Sequence, residues 1–471
     1  MAVLAIDQGT SGTKAVVIGR DETVLAIAEE SVRPRYGDGG VVEQDPLALL
    51  RSVVDAGRHA IAKADVRIDA VALANQGETV LAWDPVTGEP LADAMVWQDR
   101  RAETVCAELA DHADDIARVT GLVLDPYFSA PKMAWLRRNV TREGVVTTTD
   151  TWLVSQLTGE FVTDVSTASR SLLLDVDAVA WSEDLLDIFG LGGERLPRIV
   201  ASDEVVGTTT AFGAEVPVAG LIVDQQAALF AENCRDAEAA KCTYGTGAFL
   251  LANTGATALR SSGGLTTSVA WQARGATAYC VDGQVYTAAS AVRWLQDLGL
   301  IDDAEDLDRV AADDAAGVLC VPAFAGLAAP WWRPEATASF SGLTLSTGRG
   351  ELVLALLQGI AAQVAGMLRL VESDLGRASA ALRVDGGLTR CETLMQAQAD
   401  LAQVPIDVYP SSHATAMGAG ALAWLAITPD LALGDAVGSW QPSRTYEPRW
   451  SRDRAESFLE RWNLAAIGAS S

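Results

Sequence analysis

The amino-acid sequence predicts an α/β protein of two similar domains facing a common cleft. At 471 residues, 49% of them hydrophobic, the chain is too long for one ordinary core and apolar enough to fill two. Short apolar runs alternate with helix-period segments along its length, the pattern of strands and helices in layers. A third observation is a repeated design. Val3 to Lys14 and Cys242 to Leu251 are each an apolar strand that breaks into a turn of Gly, Thr and Ser.

The first of these turns, Asp7-Gln8-Gly9-Thr10-Ser11-Gly12-Thr13-Lys14, has the makings of a phosphate site. Small residues let backbone N–H groups approach phosphate oxygens, Thr10, Ser11 and Thr13 add hydroxyl donors, and Lys14 adds a point charge. Asp7, at the strand end, is placed to hold Mg²⁺ directly or through water. Taken alone the segment reads equally as a plain glycine hairpin with Asp7 solvated at its mouth. The second turn, Tyr244-Gly245-Thr246-Gly247, favours two domains sharing one nucleotide.

Between the turns, Asp69 to Gln76 and Val216 to Gln225 read as buried strands ending in polar residues, where ligands bind in open α/β sheets. Helices are expected over Pro46 to Ala64, Arg100 to Ala113, Asp150 to Leu157 and Ala227 to Glu232, then over Ala288 to Asp297, Glu351 to Glu372, Glu392 to Leu401 and Thr415 to Ala426. The stretch Leu352 to Met367 is apolar on nearly every side, which predicts a buried helix. A polar segment, Asn233 to Ala239, marks the junction. The expected domains are therefore 1–233, 234–440 and a helical tail, 441–471, rich in Trp, Arg and Glu.

The balance of 62 acidic against 35 basic residues, a net charge of −27, repels nucleic acid and anionic membrane surfaces. A nucleotide stays compatible, because Mg²⁺ and a few donors offset its charge locally. Six scattered cysteines with no CxxC pair and only three histidines argue against zinc and for reduced core thiols in a cytoplasmic protein. The uncharged stretch Ala315 to Trp332 is broken by Pro322, Gly326 and Pro330, so a strand and apolar loop fit it better than a membrane span.

Asp224, between an apolar strand and a helix, is either a helix cap or a general base. Glu78, Trp97, Gln98, Tyr127 and Gln225 follow strands or sit in turns, and together they offer carboxylate, amide and phenol groups on aromatic walls. That mixture suits a small polyhydroxylated ligand, although Trp97 and Tyr127 singly also read as core residues. Val384-Asp385-Gly386-Gly387 is a further strand and glycine turn, open either to a nucleoside against bare backbone or to a tight turn alone.

With these residues in place the chain resembles the FGGY carbohydrate kinases, and among them the glycerol kinases, through nearly its whole length. The resemblance is carried by Asp7-Gln8-Gly9-Thr10, Trp97-Gln98-Asp99-Arg100-Arg101, Asp125-Pro126-Tyr127-Phe128-Ser129, Asp150-Thr151-Trp152-Leu153, Asp224 to Phe230, Tyr244 to Gly247, Val321 to Phe324 and Val384 to Gly387. It implies two actin-like (ribonuclease H-like) ATPase domains flanking a catalytic cleft, with ATP and Mg²⁺ as cofactors. Asp224 resembles the catalytic base, and Asp7 with Asp224 lies around Mg²⁺. Thr10, Ser11 and Lys14 resemble the first phosphate loop, Thr246 and Gly247 the second, and Gly386 with Gly387 the nucleotide turn. Glu78, Trp97, Tyr127, Asp224, Gln225 and Phe249 resemble the polyol pocket.

Three positions depart from the glycerol-kinase pattern: Gly77 stands where an arginine contacts the polyol, Lys14 where arginine is usual, and Cys391 where an asparagine lies near the adenine. Losing a forked donor opens space at the acceptor. The expectation is a kinase for the terminal hydroxyl of a small polyol, glycerol first, with a tetritol, pentitol or ketose such as xylulose as the alternative. A non-catalytic nucleotide sensor is the reading from another class. The resemblance also leaves room for a homo-oligomer.

Overall fold

The computed structural model describes residues 1–237 and 239–468. Glu238, in the expected junction, and residues 469–471, at the end of the expected tail, lie outside the described residues.

Two mixed sheets organise the chain. From edge to edge the first runs Val205–Thr209, Val216–Val223, Ala70–Asn75, Ala2–Gln8, Gly12–Gly19 and Val24–Ser31. The second runs Arg444–Tyr446, Ile406–Val408, Leu382–Asp385, Ala240–Tyr244, Ala248–Gly255, Ala276–Val285 and Thr266–Ala273. Over their first six strands the two sheets alternate in the same sense: antiparallel, parallel, parallel, antiparallel, antiparallel. The two glycine hairpins therefore occupy equivalent central positions, and residues of both turns line one cavity. This is the duplicated α/β design the sequence predicts.

Both faces of the first sheet are covered, which is why Ala70–Asn75 is buried at every residue. Helix Pro46–Ala64 covers one face. Its boundaries are those expected, because the Asp45 side chain accepts a hydrogen bond from the Leu47 N–H at 2.9 Å, Pro46 opens the first turn, and Asp65 ends the last at φ 49°. The other face packs on helix Ala414–Ile427, which belongs to the second half of the sequence. Val3, Ala5, Val16, Ile18, Ala70 and Ala72 share one buried cluster with Ala416, Ala419, Leu422 and Ala423. The chain thus crosses back to the first sheet after building the second.

The apolar helix spans Arg349–Leu375, and it is long and apolar enough to cross a membrane, yet 83% of its most apolar window is buried inside the protein. Two expectations need correction. The helix expected from Arg100 to Ala113 is broken into Glu103–Glu108, a 3₁₀ turn at Ala110–His112 and Ala113–Thr120. Asp99 delays its start, since its carboxylate accepts from both the backbone N–H and the guanidinium of Arg101. The tail is not helical from residue 441: Arg444–Tyr446 adds an edge strand to the second sheet, and the helix begins at Arg452. That helix buries Trp462, whose indole N–H donates to the Cys320 carbonyl at 2.8 Å.

Candidate active site

The cleft between the sheets holds a cavity of about 220 Å³ lined by Glu78, Trp97, Tyr127, Asp224, Gln225 and Phe249, together with Thr10, Ser11 and Thr246. Every residue expected in the polyol pocket is therefore on one wall set, with hydroxyls from both glycine turns at its rim. Lys14, Gly386 and Gly387 line a second cavity of about 700 Å³. Gly247 closes the second turn, where a Cβ would meet the Val285 carbonyl oxygen at 2.4 Å; at Gly386, with φ 97°, a Cβ would meet that of Tyr244 at 2.4 Å. Only glycine fits at either position.

Aromatic side chains form the apolar wall. The Trp97 and Tyr127 rings meet edge to face at 5.5 Å, and Trp97 and Phe249 at 6.2 Å. The Trp97 indole N–H donates to the Thr10 hydroxyl at 2.9 Å, joining this wall to the first glycine turn. Gln44 steadies the same turn by donating to the Thr10 carbonyl at 2.6 Å, and Gln76 donates to the Gln44 side-chain oxygen at 2.9 Å.

Asp224 opens helix Asp224–Ala231, three residues before the expected start at Ala227, and Val223 rather than Asp224 holds the cap position. Among the described residues its carboxylate accepts a bond only from the adjacent Gln225 N–H, at 2.7 Å. Burial in the cleft, with Asp7 and Glu78 nearby, pushes Asp224 up to about 7. Asp7 pairs in register with Lys14 on the neighbouring strand, and burial lifts it to about 6 against the pull of Lys14. Lys14 itself lies 3.3 Å from Glu29. A carboxylate poised near neutrality at the mouth of a strand is suited to take a proton.

The carboxylate oxygens of Asp7 and Asp224 are hard donors of the kind Mg²⁺ takes, and the buried Oδ1 of Asp385 has no hydrogen-bond partner among the described residues. Among the described residues no three His, Cys, Asp or Glu side chains are grouped to chelate an ion. An ion here would complete its shell with phosphate and water oxygens.

Four buried charges around the site escape sequence reasoning. Lys132 donates to the carbonyls of Pro126, Tyr127 and Phe128 at 2.8, 2.5 and 2.6 Å, fixing the turn that carries Tyr127, and burial lowers it to about 7. Lys241 donates to the Gln225 side-chain oxygen and the Thr243 hydroxyl, both at 2.7 Å. Arg170 binds Glu78 and Asp282. Lys132 and Arg170 leave one signal in the sequence, a single charge inside a run of small or apolar residues, as in Val165 to Leu174.

A half-buried carboxylate between hydroxyl-rich turns of two equivalent sheets defines a phosphotransfer cleft of the actin-like, ribonuclease H-like type. Comparison with known proteins agrees. The family model for the FGGY family of carbohydrate kinases, N-terminal domain, matches residues 2–231, and that for the C-terminal domain matches residues 240–427. The glycerol kinase of Aromatoleum aromaticum is 41% identical over 98% of this chain and 97% of its own, and that of Acinetobacter baylyi is 38% identical over 100% and 99%. The glycerol kinase of Plasmodium falciparum, solved with ADP, superposes with a TM-score of 0.91 at 32% identity, covering 99% of this chain and 98% of that one. A ligand-bound xylulose kinase from Lactobacillus acidophilus shares the fold with a TM-score of 0.89 at 21% identity over 98% and 96%. The chain belongs to the FGGY family of carbohydrate kinases.

Proposed function

We propose that this kinase phosphorylates a terminal hydroxyl of glycerol, using ATP and Mg²⁺. The observation that carries the reading is the convergence of Glu78, Trp97, Tyr127, Gln225 and Phe249 on the cavity that Asp224 faces; the full-length similarity to glycerol kinases supports it. Glu78 and Gln225 orient the hydroxyls, while the aromatic rings pack on the carbon chain. Asp224 accepts the hydroxyl proton as that oxygen bonds to the γ-phosphorus and the bond to the ADP oxygen breaks. Donors on Thr10, Ser11, Thr246 and Gly247 and the charge of Lys14 steady the phosphates, and Gly386 with Gly387 leaves bare backbone for the nucleoside. Asp7 and Asp224 would hold Mg²⁺, whose chemistry there would be to neutralise phosphate charge.

In this reading the first domain supplies the acceptor site and base, the second domain the nucleotide turns, and the enzyme works in the cytoplasm, where its six unpaired cysteines suit a reducing environment. Homo-oligomer formation remains an expectation from the resemblance. ADP release with ATP and Mg²⁺ across glycerol, tetritols, pentitols, ketopentoses and hexoses tests the reading. Glycerol should give the highest kcat/KM. A longer acceptor ranking first would mean that Gly77 has re-specified the pocket, and no turnover on any would return the fold to nucleotide sensing.

A further inference from the structure

Arg170 lies on the seam between the two domains, and the chemistry above makes no use of it. Its side chain is 6% exposed. Nε donates to Oε1 of Glu78, and Nη1 donates to Oδ1 of Asp282 at 2.8 Å. The guanidinium stands 5.7 Å from the Tyr127 ring centroid and 5.4 Å from that of Phe128. Glu78 belongs to the loop after Ala70–Asn75 in the first sheet and has φ 59°; Asp282 lies on Ala276–Val285 in the second sheet. Asp282 is anchored in turn by the Thr266 hydroxyl, which donates to it at 2.8 Å.

One planar fork thus holds two buried carboxylates from different domains. A guanidinium has fixed donor directions, so it satisfies both partners only when Glu78 and the second sheet keep one separation. Neither carboxylate can give up the fork cheaply, because a buried charge left without its partner is strongly destabilised. The orientation of Glu78 and the relation between the domains are therefore a single mechanical variable. Any ligand that biases one end biases the other, and linkage requires the effect to be reciprocal.

We propose that Arg170 is a positioning residue that holds Glu78 in its acceptor-binding orientation and, through Asp282, couples acceptor binding to nucleotide affinity in the second domain. The inference rests on the reading of Glu78 as an acceptor ligand.

The test uses the full-length enzyme with Mg²⁺. Steady-state constants for glycerol are measured alongside the calorimetric affinity for ADP with and without glycerol, for the unmodified protein and for Arg170→Gln, Arg170→Lys, Asp282→Asn and Glu78→Gln. Arg170→Gln should raise the glycerol KM by ~10–100-fold, the loss of a charged hydrogen bond, with a smaller change in kcat. Arg170→Lys should recover part of that KM. In the unmodified enzyme glycerol should tighten ADP binding by ~5-fold or more, and Asp282→Asn, which replaces the carboxylate of this buried ion pair with a neutral amide and so loosens the fork, should bring that factor close to one.

Unchanged KM in a folded Arg170→Gln protein, no tightening of ADP in the unmodified enzyme, or full tightening in Asp282→Asn would each overturn the inference. Should Arg170→Gln fail to fold, Arg170→Lys and Asp282→Asn decide the matter. Failure of the underlying reading looks different: Glu78→Gln would then leave the glycerol KM untouched. Loss of acceptor affinity in Glu78→Gln with none in the Arg170 variants would remove only the positioning role.

Discussion

Gly418 lies so close to Ala227 that a Cβ on the glycine would sit 1.9 Å from the Ala227 carbonyl oxygen. That contact presses helix Ala414–Ile427 onto the helix that begins with Asp224, and neither backbone can yield without moving the carboxylate. Gly418→Ala should therefore lower stability by about 1–3 kcal/mol, the usual cost of overpacking, and depress kcat as well. Urea unfolding read with the ADP-release assay checks both.

Replacing Asp224 with Asn keeps the shape of the site but removes the proposed proton acceptor. Turnover should fall by at least ~100-fold while ADP affinity stays nearly intact. Calorimetry with ADP separates this result from simple loss of fold, and normal turnover would take Asp224 out of the role of base.

Burial lifts Asp7 to about 6 and Asp224 to about 7, both above the 3.8 of an unburied aspartate. Ionising them therefore costs more in the folded protein than in the unfolded chain. Their contribution to stability is complete at low pH, where both are protonated, and is lost as pH rises through about 6 and then about 7. If these carboxylates hold the ion as proposed, Mg²⁺ with ADP binds their ionised forms and offsets that loss. Its addition should raise Tm more at about pH 8 than at about pH 5.5, and an equal rise at both would contradict the assignment of these carboxylates to the ion.

Lys132 gives all three of its donors to one turn. Lys132→Met would remove the side-chain donor from those carbonyls and free Tyr127, costing about 2–3 kcal/mol of stability and raising the acceptor KM more than it lowers kcat. Thermal unfolding and glycerol titration of initial rates measure the two effects.

Space beside Gly77 is limited by Val223, whose Cγ2 would lie 3.0 Å from a Cβ at that position. An arginine returned there alone must displace a methyl group next to Asp224. Gly77→Arg should accordingly reduce kcat/KM for glycerol, and adding Val223→Ala should recover activity relative to that single variant. Comparison of the two kcat/KM values decides it.

Much of this fold is local in origin and therefore legible in the sequence. The Pro46–Ala64 helix announces both its ends, and the two glycine hairpins report their equivalence through shared turn chemistry. Glu78, Trp97, Tyr127, Asp224 and Gln225 could be singled out because they follow strands or sit in turns with polar chemistry, whereas Phe249, an apolar residue of strand Ala248–Gly255, is reached only through the resemblance to the FGGY kinases. Arg170 could not, since its significance depends on Glu78 and Asp282, 92 and 112 residues away in sequence. The break in the helix expected from Arg100 has the same root in side-chain competition, there from Asp99, which no periodicity records. Nor does sequence order show that helix Ala414–Ile427 returns to the first sheet, because its apolar residues would suit either core.

That return sets a schedule for synthesis. The ribosome releases the whole first sheet some two hundred residues before the helix that seals it, so Val3, Ala5, Val16, Ile18, Ala70 and Ala72 emerge as an open greasy floor. The nascent amino-terminal half must wait, shielded or sticky, for its own last wall. A fragment cut at residue 233 would inherit that exposed floor permanently and should aggregate, even though it carries both Asp224 and Glu78.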